Sequence, residues 1–286
     1  MSAVPRVFFV TGANKGLGYE TVRVIAERFG DQAIALLGTR SIENGHAAIA
    51  KMKQSNPSFD YSNVEAVEID VTKPASIQAA ADYVKSKFGH VHVLVNNSGI
   101  FGRSEGYVEC FKVNVYGASD VFETFRPLLV PNESDHIIIG SDAGAWSLFA
   151  LPPGLQEILE DVHALDIATV RRLLDDWLEA SQGKPSQNTW PPVEETRWSY
   201  GLSKAVIMAL GRKWAIDYPD IKTTNICPGY CATDLNAHAG PLSASQGAEY
   251  ILYPIFNPEV TQSGKYYSEG VELEYKFPQP TNFFKK

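Results

Sequence analysis

Arg6-Val7-Phe8-Phe9-Val10-Thr11-Gly12-Ala13-Asn14-Lys15-Gly16-Leu17-Gly18 is the stretch from which the rest of the chain can be read. Arg6 to Thr11 is a continuous apolar run, the pattern of a strand buried on both faces of a parallel sheet. It passes directly into glycines, and a helix is predicted from Tyr19 to about Phe29. Strand, glycine turn and helix N-terminus in that order are what a dinucleotide pyrophosphate requires. Glycine lets the backbone approach the phosphates, and free N–H groups sit at the positive end of the helix dipole. The candidate cradle is therefore Gly12, Asn14, Lys15, Gly16, Leu17 and Gly18, spaced Gly-x-x-x-Gly-x-Gly. A glycine turn alone can equally be a plain tight turn, and its position between strand and helix favours the binding reading.

Working outward, Ala33 to Arg40 reads as a second buried strand. A helix through Ala47 to Lys53 follows, then a strand from Val64 to Ile69 ending in Asp70-Val71. A helix from about Ala75 to Phe88 leads to a strand Val91 to Val95 and the turn Asn96-Asn97-Ser98-Gly99. This alternation predicts an α/β fold, a doubly wound parallel sheet with its ligand at the carboxyl ends of the strands. The second strand ends in Thr39-Arg40, where an acid would be expected if the ribose 2′-hydroxyl were to be held. Arg40 and Lys15 place positive charge where a 2′-phosphate would lie.

A helix is predicted from about Gly106 to Leu128, a strand at His136-Ile137-Ile138-Ile139 and another from Thr223 to Cys227. Ser141 follows the first of these strands, so its hydroxyl stands at a strand's carboxyl end. There it could donate to a substrate carbonyl, although serine at such a place is ordinary turn chemistry. In Trp198-Ser199-Tyr200-Gly201-Leu202-Ser203-Lys204, Tyr200 and Lys204 are one helical turn apart and share a face. A Lys⁺ beside a phenol lowers its pKa from about 10, so the phenol can exchange a proton at neutral pH. Pairs at this spacing are by themselves usually surface decoration.

Together these residues carry a resemblance. Thr11-Gly12-x-x-x-Gly16-x-Gly18, Asp70-Val71, Asn96-Asn97-Ser98-Gly99, Asn114, Ser141, Tyr200-x-x-x-Lys204 and Pro228-Gly229 resemble the short-chain dehydrogenase/reductases, in the family's order and over about residues 6 to 270. The resemblance implies a Rossmann-type fold, NADP(H) as cofactor and a catalytic tetrad of Asn114, Ser141, Tyr200 and Lys204. Asn114 would hold a proton-relay water for Lys204. It further implies that Asp70, Val71, Asn97, Ser98, Gly99, Tyr200, Lys204, Pro228, Gly229 and Thr233 line the cofactor, with the Pro228–Thr233 loop closing over the nicotinamide. Two departures are visible: Asn-Asn-Ser-Gly stands where the family usually has Asn-Asn-Ala-Gly, and the segment from Ile100 to Lys112 is short.

Ser141 and Tyr200 are 59 positions apart, whereas common members of the family need far fewer residues between these roles. The excess is an insertion at about 148–197. Leu155, Ile158, Leu159 and Val162 fall on one helical stripe, and Ile167, Val170, Leu174, Trp177 and Leu178 on another, with Asp166 as N-cap. An insertion before the tyrosine resembles the carbonyl-reductase branch. The same stripes could cover the helix faces through which relatives pair, so a monomer is expected.

Composition narrows the classes. The net charge of −8 argues against nucleic acid and against an anionic membrane as partner. Cys110, Cys227 and Cys231 lack metal or disulfide spacing, so no metal site and a reducing, cytoplasmic setting are expected. No long apolar segment or signal peptide is seen. The 286 residues are expected to form one domain, 1–286. The leading function is NADPH-dependent reduction of a small-molecule ketone, aldehyde or quinone. A catalytically silent NADP-binding regulator is the alternative; an isomerase or dehydratase would need a larger C-terminal domain than follows Pro228.

Overall fold

The computed structural model describes residues 4–195 and 197–281. Phe283-Phe284-Lys285-Lys286, in which no targeting address is read, lies outside them. In chain order the first half contains β1 (Arg6–Val10), α1 (Gly16–Phe29), β2 (Ala33–Thr39), α2 (Ile42–Ser55), β3 (Val64–Glu68), α3 (Pro74–Phe88), β4 (Val93–Asn96), α4 (Tyr107–Phe111), α5 (Ala118–Phe125) and β5 (Asp135–Ile139). The second half contains α6 (Asp142–Ala150), α7 (Pro153–Glu160), α8 (Ile167–Ser181), α9 (Trp198–Asp217), β6 (Lys222–Cys227), α10 (Ala244–Ile251), α11 (Tyr253–Phe256), β7 (Tyr266–Ser268) and β8 (Val271–Leu273).

The strands form one sheet in the order β3-β2-β1-β4-β5-β6-β7-β8. Every pairing is parallel except β7 with β8, which close a short hairpin. The order reverses between β1 and β4, so the crevice that receives a ligand opens at their carboxyl ends. Alternation along each central strand supplies two cores. Val7 and Phe9 of β1, Leu36 of β2, Leu94 of β4 and Ile138 of β5 face one side, with Phe111, Phe122, Trp177 and Trp214. Phe8, Val10, Leu37, Val95 and Ile139 face the other, with Val22, Ile25, Met52 and Ala248 from α1, α2 and α10. Both faces of the sheet are covered, which is why these strands read as unbroken apolar runs rather than as alternating ones.

Three differences from the sequence reading have local causes. β4 begins at Val93, because Val91 makes only an isolated bridge to Leu129. The helix expected from Gly106 to Leu128 is interrupted by a π-helical turn at Lys112–Gly117, and its last turn is 3₁₀ at Arg126–Leu128. Helix α6 was not foreseen. Its sequence, Asp-Ala-Gly-Ala-Trp-Ser-Leu-Phe-Ala, is apolar nearly all round and offers no amphipathic period to read.

The segment read as an insertion carries the two helices expected of it. Asp166 caps α8 by accepting from the Thr169 N–H at 2.6 Å. Leu155, Leu159, Val170, Leu174 and Trp177 are buried, although Ile167, also assigned to the stripe, is exposed. Trp177 meets Tyr107 and Phe111 edge-on at 5.3 and 5.4 Å, and Arg171 lies 4.7 Å over Tyr116. The insertion thus packs on α4 and the π turn. Trp177→Ala is expected to lower the unfolding free energy by about 3–5 kcal/mol, the usual cost of emptying a buried tryptophan site. Urea unfolding at constant m-value measures it, and a loss below about 1 kcal/mol would show that the indole contributes little to this packing.

Candidate active site

Ser141 ends the run of β5 and serves as N-cap of α6, with extended backbone and its Oγ accepting from the Ala143 N–H at 3.2 Å. α6 packs against α9 closely enough that a Cβ on Gly144 would lie 2.8 Å from the backbone of Lys204 and Ala205. Only glycine permits that approach. It brings the Ser141 hydroxyl close enough to the Tyr200 phenol to favour its ionised form. Lys204, one turn further along α9, is 5 % exposed, and its ammonium donates to the Ile139 carbonyl at 2.7 Å. Its Nζ stands 5.7 Å from the centre of the Tyr200 ring.

Asn114 sits in the π turn and is buried. π turns inside α-helices are frequent at functional sites. Its Oδ1 accepts from the Ile100 N–H at 2.9 Å, while its Nδ2 donates to the Ile100 carbonyl at 2.9 Å and to Ser203 Oγ at 3.0 Å. The amide therefore ties the strand-end turn at Gly99-Ile100 to α9. A Cβ on Gly99 would stand 3.5 Å from Asn114 Oδ1 and 3.7 Å from Lys204 Nζ, so two of the expected catalytic residues border this turn of chain.

The electrostatics differ from the simplest expectation. Burial holds the Tyr200 phenol well above its ordinary value, with the neighbouring Ser141 hydroxyl opposing the rise. The expected lowering by Lys204 is not what this geometry produces, because the ammonium is turned to the Ile139 carbonyl rather than to the phenol oxygen. Burial pulls Lys204 itself down to about 8. The nearby thiols are pushed the other way: burial raises Cys110, and raises Cys227 to about 11. Both stay neutral near pH 7 and are poor nucleophiles there.

The glycine loop meets the requirements of a pyrophosphate cradle. Gly12 and Gly16 have positive φ of 63° and 58°. A Cβ on Gly18 would fall 2.4 Å from Asn97 Nδ2 and 2.7 Å from the Gly12 carbonyl. Helix α1 starts at Gly16 with no side-chain cap from Lys15 and no acid in its first turn, which leaves its N-terminal N–H groups available to an anion. Asn97 and Ser98 stitch the β4 turn to this loop: their N–H groups both donate to Thr11 Oγ1 at 3.0 Å, and Asn97 Nδ2 donates to the Thr11 carbonyl at 2.8 Å. These residues fit a dinucleotide cofactor. Asn14 and Leu17 are half-buried in the same loop.

Other expected cofactor residues stand around that loop with their own partners. Asp70 accepts from Thr72 N and Oγ1 and pairs with Lys73 at 3.1 Å. The Val71 carbonyl crowds Gly117, where a Cβ would approach to 2.5 Å. Arg40 is exposed just past β2. Lys15 is engaged by Asp234 at 3.0 Å, a partner the sequence reading missed. After β6, Gly229 has φ of 83°, and Thr233 is buried with its methyl 3.8 Å from where a Gly16 Cβ would be. A Cβ on Gly247 would meet Pro228 at 3.5 Å. The loop from Pro228 to Thr233 thus lies against the glycine loop.

Ser203, Phe101 and Tyr266 were also missed. Ser203 Oγ donates to the Tyr200 carbonyl at 2.7 Å and receives Asn114. The Phe101 ring stacks on Tyr200 at 4.8 Å and 9°. Tyr266 OH donates to Asp142, the neighbour of Ser141. None belongs to a motif. Only the serine, three residues after Tyr200 on the same helix, had a spacing that could have revealed it.

A family model described as short chain dehydrogenase matches residues 6–152. The chain is 33% identical over 299 aligned positions to short-chain dehydrogenase/reductase 1 of Saponaria officinalis, covering 94% of this chain and 95% of that protein. It is 29% identical over 305 positions to (+)-neomenthol dehydrogenase of Capsicum annuum, covering 92% and 95%. Salutaridine reductase from Papaver somniferum superposes with a TM-score of 0.80 at 26% identity, over 92% of this chain and 99% of that one. With the glycine cradle, the tetrad positions and these likenesses in agreement, the chain belongs to the short-chain dehydrogenase/reductase family and is an oxidoreductase.

Proposed function

We propose that the protein is an NADPH-dependent carbonyl reductase acting on a small ketone, aldehyde or quinone, built as a single domain, 1–286. The observation that carries this reading is the cluster of Ser141, Tyr200 and Lys204 at the carboxyl end of β5, adjoining the glycine loop. The Ser141 and Tyr200 hydroxyls are neighbours, so both can donate to one carbonyl oxygen placed between them. A phenol held above its ordinary value keeps its proton at neutral pH and is ready to donate it. It gives that proton up as negative charge develops on the substrate oxygen. Lys204, charged below about pH 8, keeps a positive charge 5.7 Å from the centre of the phenol ring. NADPH, its pyrophosphate held by the loop of Gly12, Gly16 and Gly18, would supply the hydride. Asn114 holds the Gly99-Ile100 turn and bonds Ser203 of α9, and a water at its amide would relay the replacement proton to Lys204. Free, buried cysteines support a cytoplasmic setting.

Tyr200→Phe should lower kcat by about 10²- to 10⁴-fold, as loss of a positioned general acid does, with cofactor still bound. Near-full turnover in that variant would refute the assignment. Because Lys204 must be protonated, kcat/KM for reduction should fall as pH rises through about 8. A flat profile from pH 6 to 10 would argue against its role.

The preference for NADPH over NADH rests on Arg40 and Lys15 at the end of β2 and in the glycine loop. Each charge-assisted hydrogen bond to a 2′-phosphate is worth roughly 1.5–3 kcal/mol before screening. Dissociation constants for both cofactors, with wild type and Arg40→Ala, test it: wild type should prefer NADPH and the variant should lose most of that preference. Equal affinities in wild type would overturn the idea.

Helices α7 and α8 cover the face of α4 and α9 that could otherwise pair with a second copy, which supports a monomer. Light scattering at micromolar concentration should return a mass near 31.5 kDa. A stable dimer or tetramer would show that this covering does not prevent assembly.

A further inference from the structure

Four side chains form a stack at the mouth of the site. Phe101 lies parallel to the Tyr200 ring, 4.8 Å away at 9°. The Arg103 guanidinium is 4.9 Å from the centre of Phe101 and 4.2 Å from that of Trp198. Trp198 is in the first turn of the helix that carries Tyr200. It is held by two consecutive left-handed residues, Arg197 with φ of 54° and Trp198 with φ of 55°, a conformation costly for side chains of this size.

Arg103 is exposed, and among the described residues it has no acidic partner within ion-pair distance. The acid nearest in sequence, Glu105, instead accepts from Ser104 Oγ at 2.9 Å. Stacking engages the faces of a guanidinium and leaves its in-plane N–H groups free, which is the geometry that binds a carboxylate or sulfonate bidentately. In a chain of net charge −8, an uncompensated cation beside the reactive phenol is a local exception.

We propose that Arg103 is the anion-recognition residue of the substrate site, and that the substrates are planar conjugated carbonyl compounds carrying an anionic group. This rests on the reductase reading and names its substrate class. The flat ring of such a compound fits beside Phe101 and Trp198, its carbonyl reaches Ser141 and Tyr200, and its anion lies against the edge of Arg103. Phe101 is the layer between the cation and the phenol, so it sets how far the anion stands from the reacting carbon.

The test compares matched substrates, 1,4-naphthoquinone with its 2-sulfonate and benzaldehyde with 4-carboxybenzaldehyde, by NADPH oxidation in wild type, Arg103→Gln and Arg103→Lys. Wild type should favour the anionic member by about 10- to 100-fold in kcat/KM, what one or two charge-assisted hydrogen bonds give, and less so at high salt. Arg103→Gln should remove that preference through KM, with a much smaller change for the neutral member, and Arg103→Lys should restore only part of it. Titration calorimetry with unreactive naphthalene-2-sulfonate should show weaker binding to Arg103→Gln by a similar factor. Equal treatment of the two members by wild type, or an equal loss for both in Arg103→Gln, would overturn the anion site while leaving the reductase reading intact. Absence of NADPH oxidation with every compound would overturn both.

Discussion

The site depends on one close approach, that of α6 to α9 at Gly144. A methyl group there would enter the backbone of Lys204 and Ala205 at 2.8 Å, so any larger residue would push the two helices apart. Separation would act on everything that matters at once. Ser141 caps α6 and Tyr200 stands on α9, so the separation of their hydroxyls is set by the distance between those helices. The same contact carries Lys204 to the end of β5, where the Ile139 carbonyl takes its ammonium at 2.7 Å. A charge this deeply buried needs such a partner, and this one is backbone fixed in the sheet. The sheet therefore positions the lysine directly and the tyrosine through it.

A second fixed point is the π turn at Lys112–Gly117. The extra residue in that turn offsets the helical register between α4 and α5, and Asn114 is placed within it. Its amide makes three hydrogen bonds at 3.0 Å or less, two to Ile100 and one to Ser203. At the end of the turn Gly117 lies under the Val71 carbonyl, with no space for a side chain. The turn after β3, the turn after β4 and helix α9 are joined through this short segment. Irregular backbone here has a purpose: a regular helix would carry Asn114 away from one of these partners.

Much of this was legible in the sequence because it depends on short-range rules. Apolar runs gave the strands, the glycine turn gave the switch point, and the 3.6-residue spacing gave α7, α8 and the shared face of Tyr200 and Lys204. What was not legible falls into two kinds. Helix α6 has no polar face, so periodicity could not separate it from a loop or strand; its existence depends on burial against α9. The partners of Lys15, Asp142 and Tyr200, namely Asp234, Tyr266 and Phe101, lie far along the chain and are chosen by the fold. The direction of the Tyr200 shift belongs to this second kind as well. Spacing brings a lysine to a tyrosine's side of a helix, but whether the ammonium faces the phenol oxygen or a strand carbonyl is decided by what else is packed there.

The segment carrying α7 and α8 packs next to the helix that bears Tyr200 and Lys204. Its return from α8 is organised by Asp176, a buried carboxylate that receives the Gln187 N–H, the Asn188 N–H at 3.1 Å, Asn188 Nδ2 at 2.8 Å and Trp190 Nε1 at 2.8 Å. Burial alone would raise this carboxyl, yet it sits below its ordinary range because these donors all favour the charged form. The loop so folded ends at Arg197, whose guanidinium bonds Gln279 of the C-terminal segment. From the same segment Lys276 reaches Gln156 and Glu160 of α7 at 2.8 and 2.7 Å. The insertion is thereby fastened at both ends, to α4 through Trp177 and to the chain's last described turn through α7. Between those fastenings lies the left-handed pair Arg197-Trp198 at the start of α9. A strained start to a helix persists only where its surroundings over-determine it, and here the surroundings are the insertion itself.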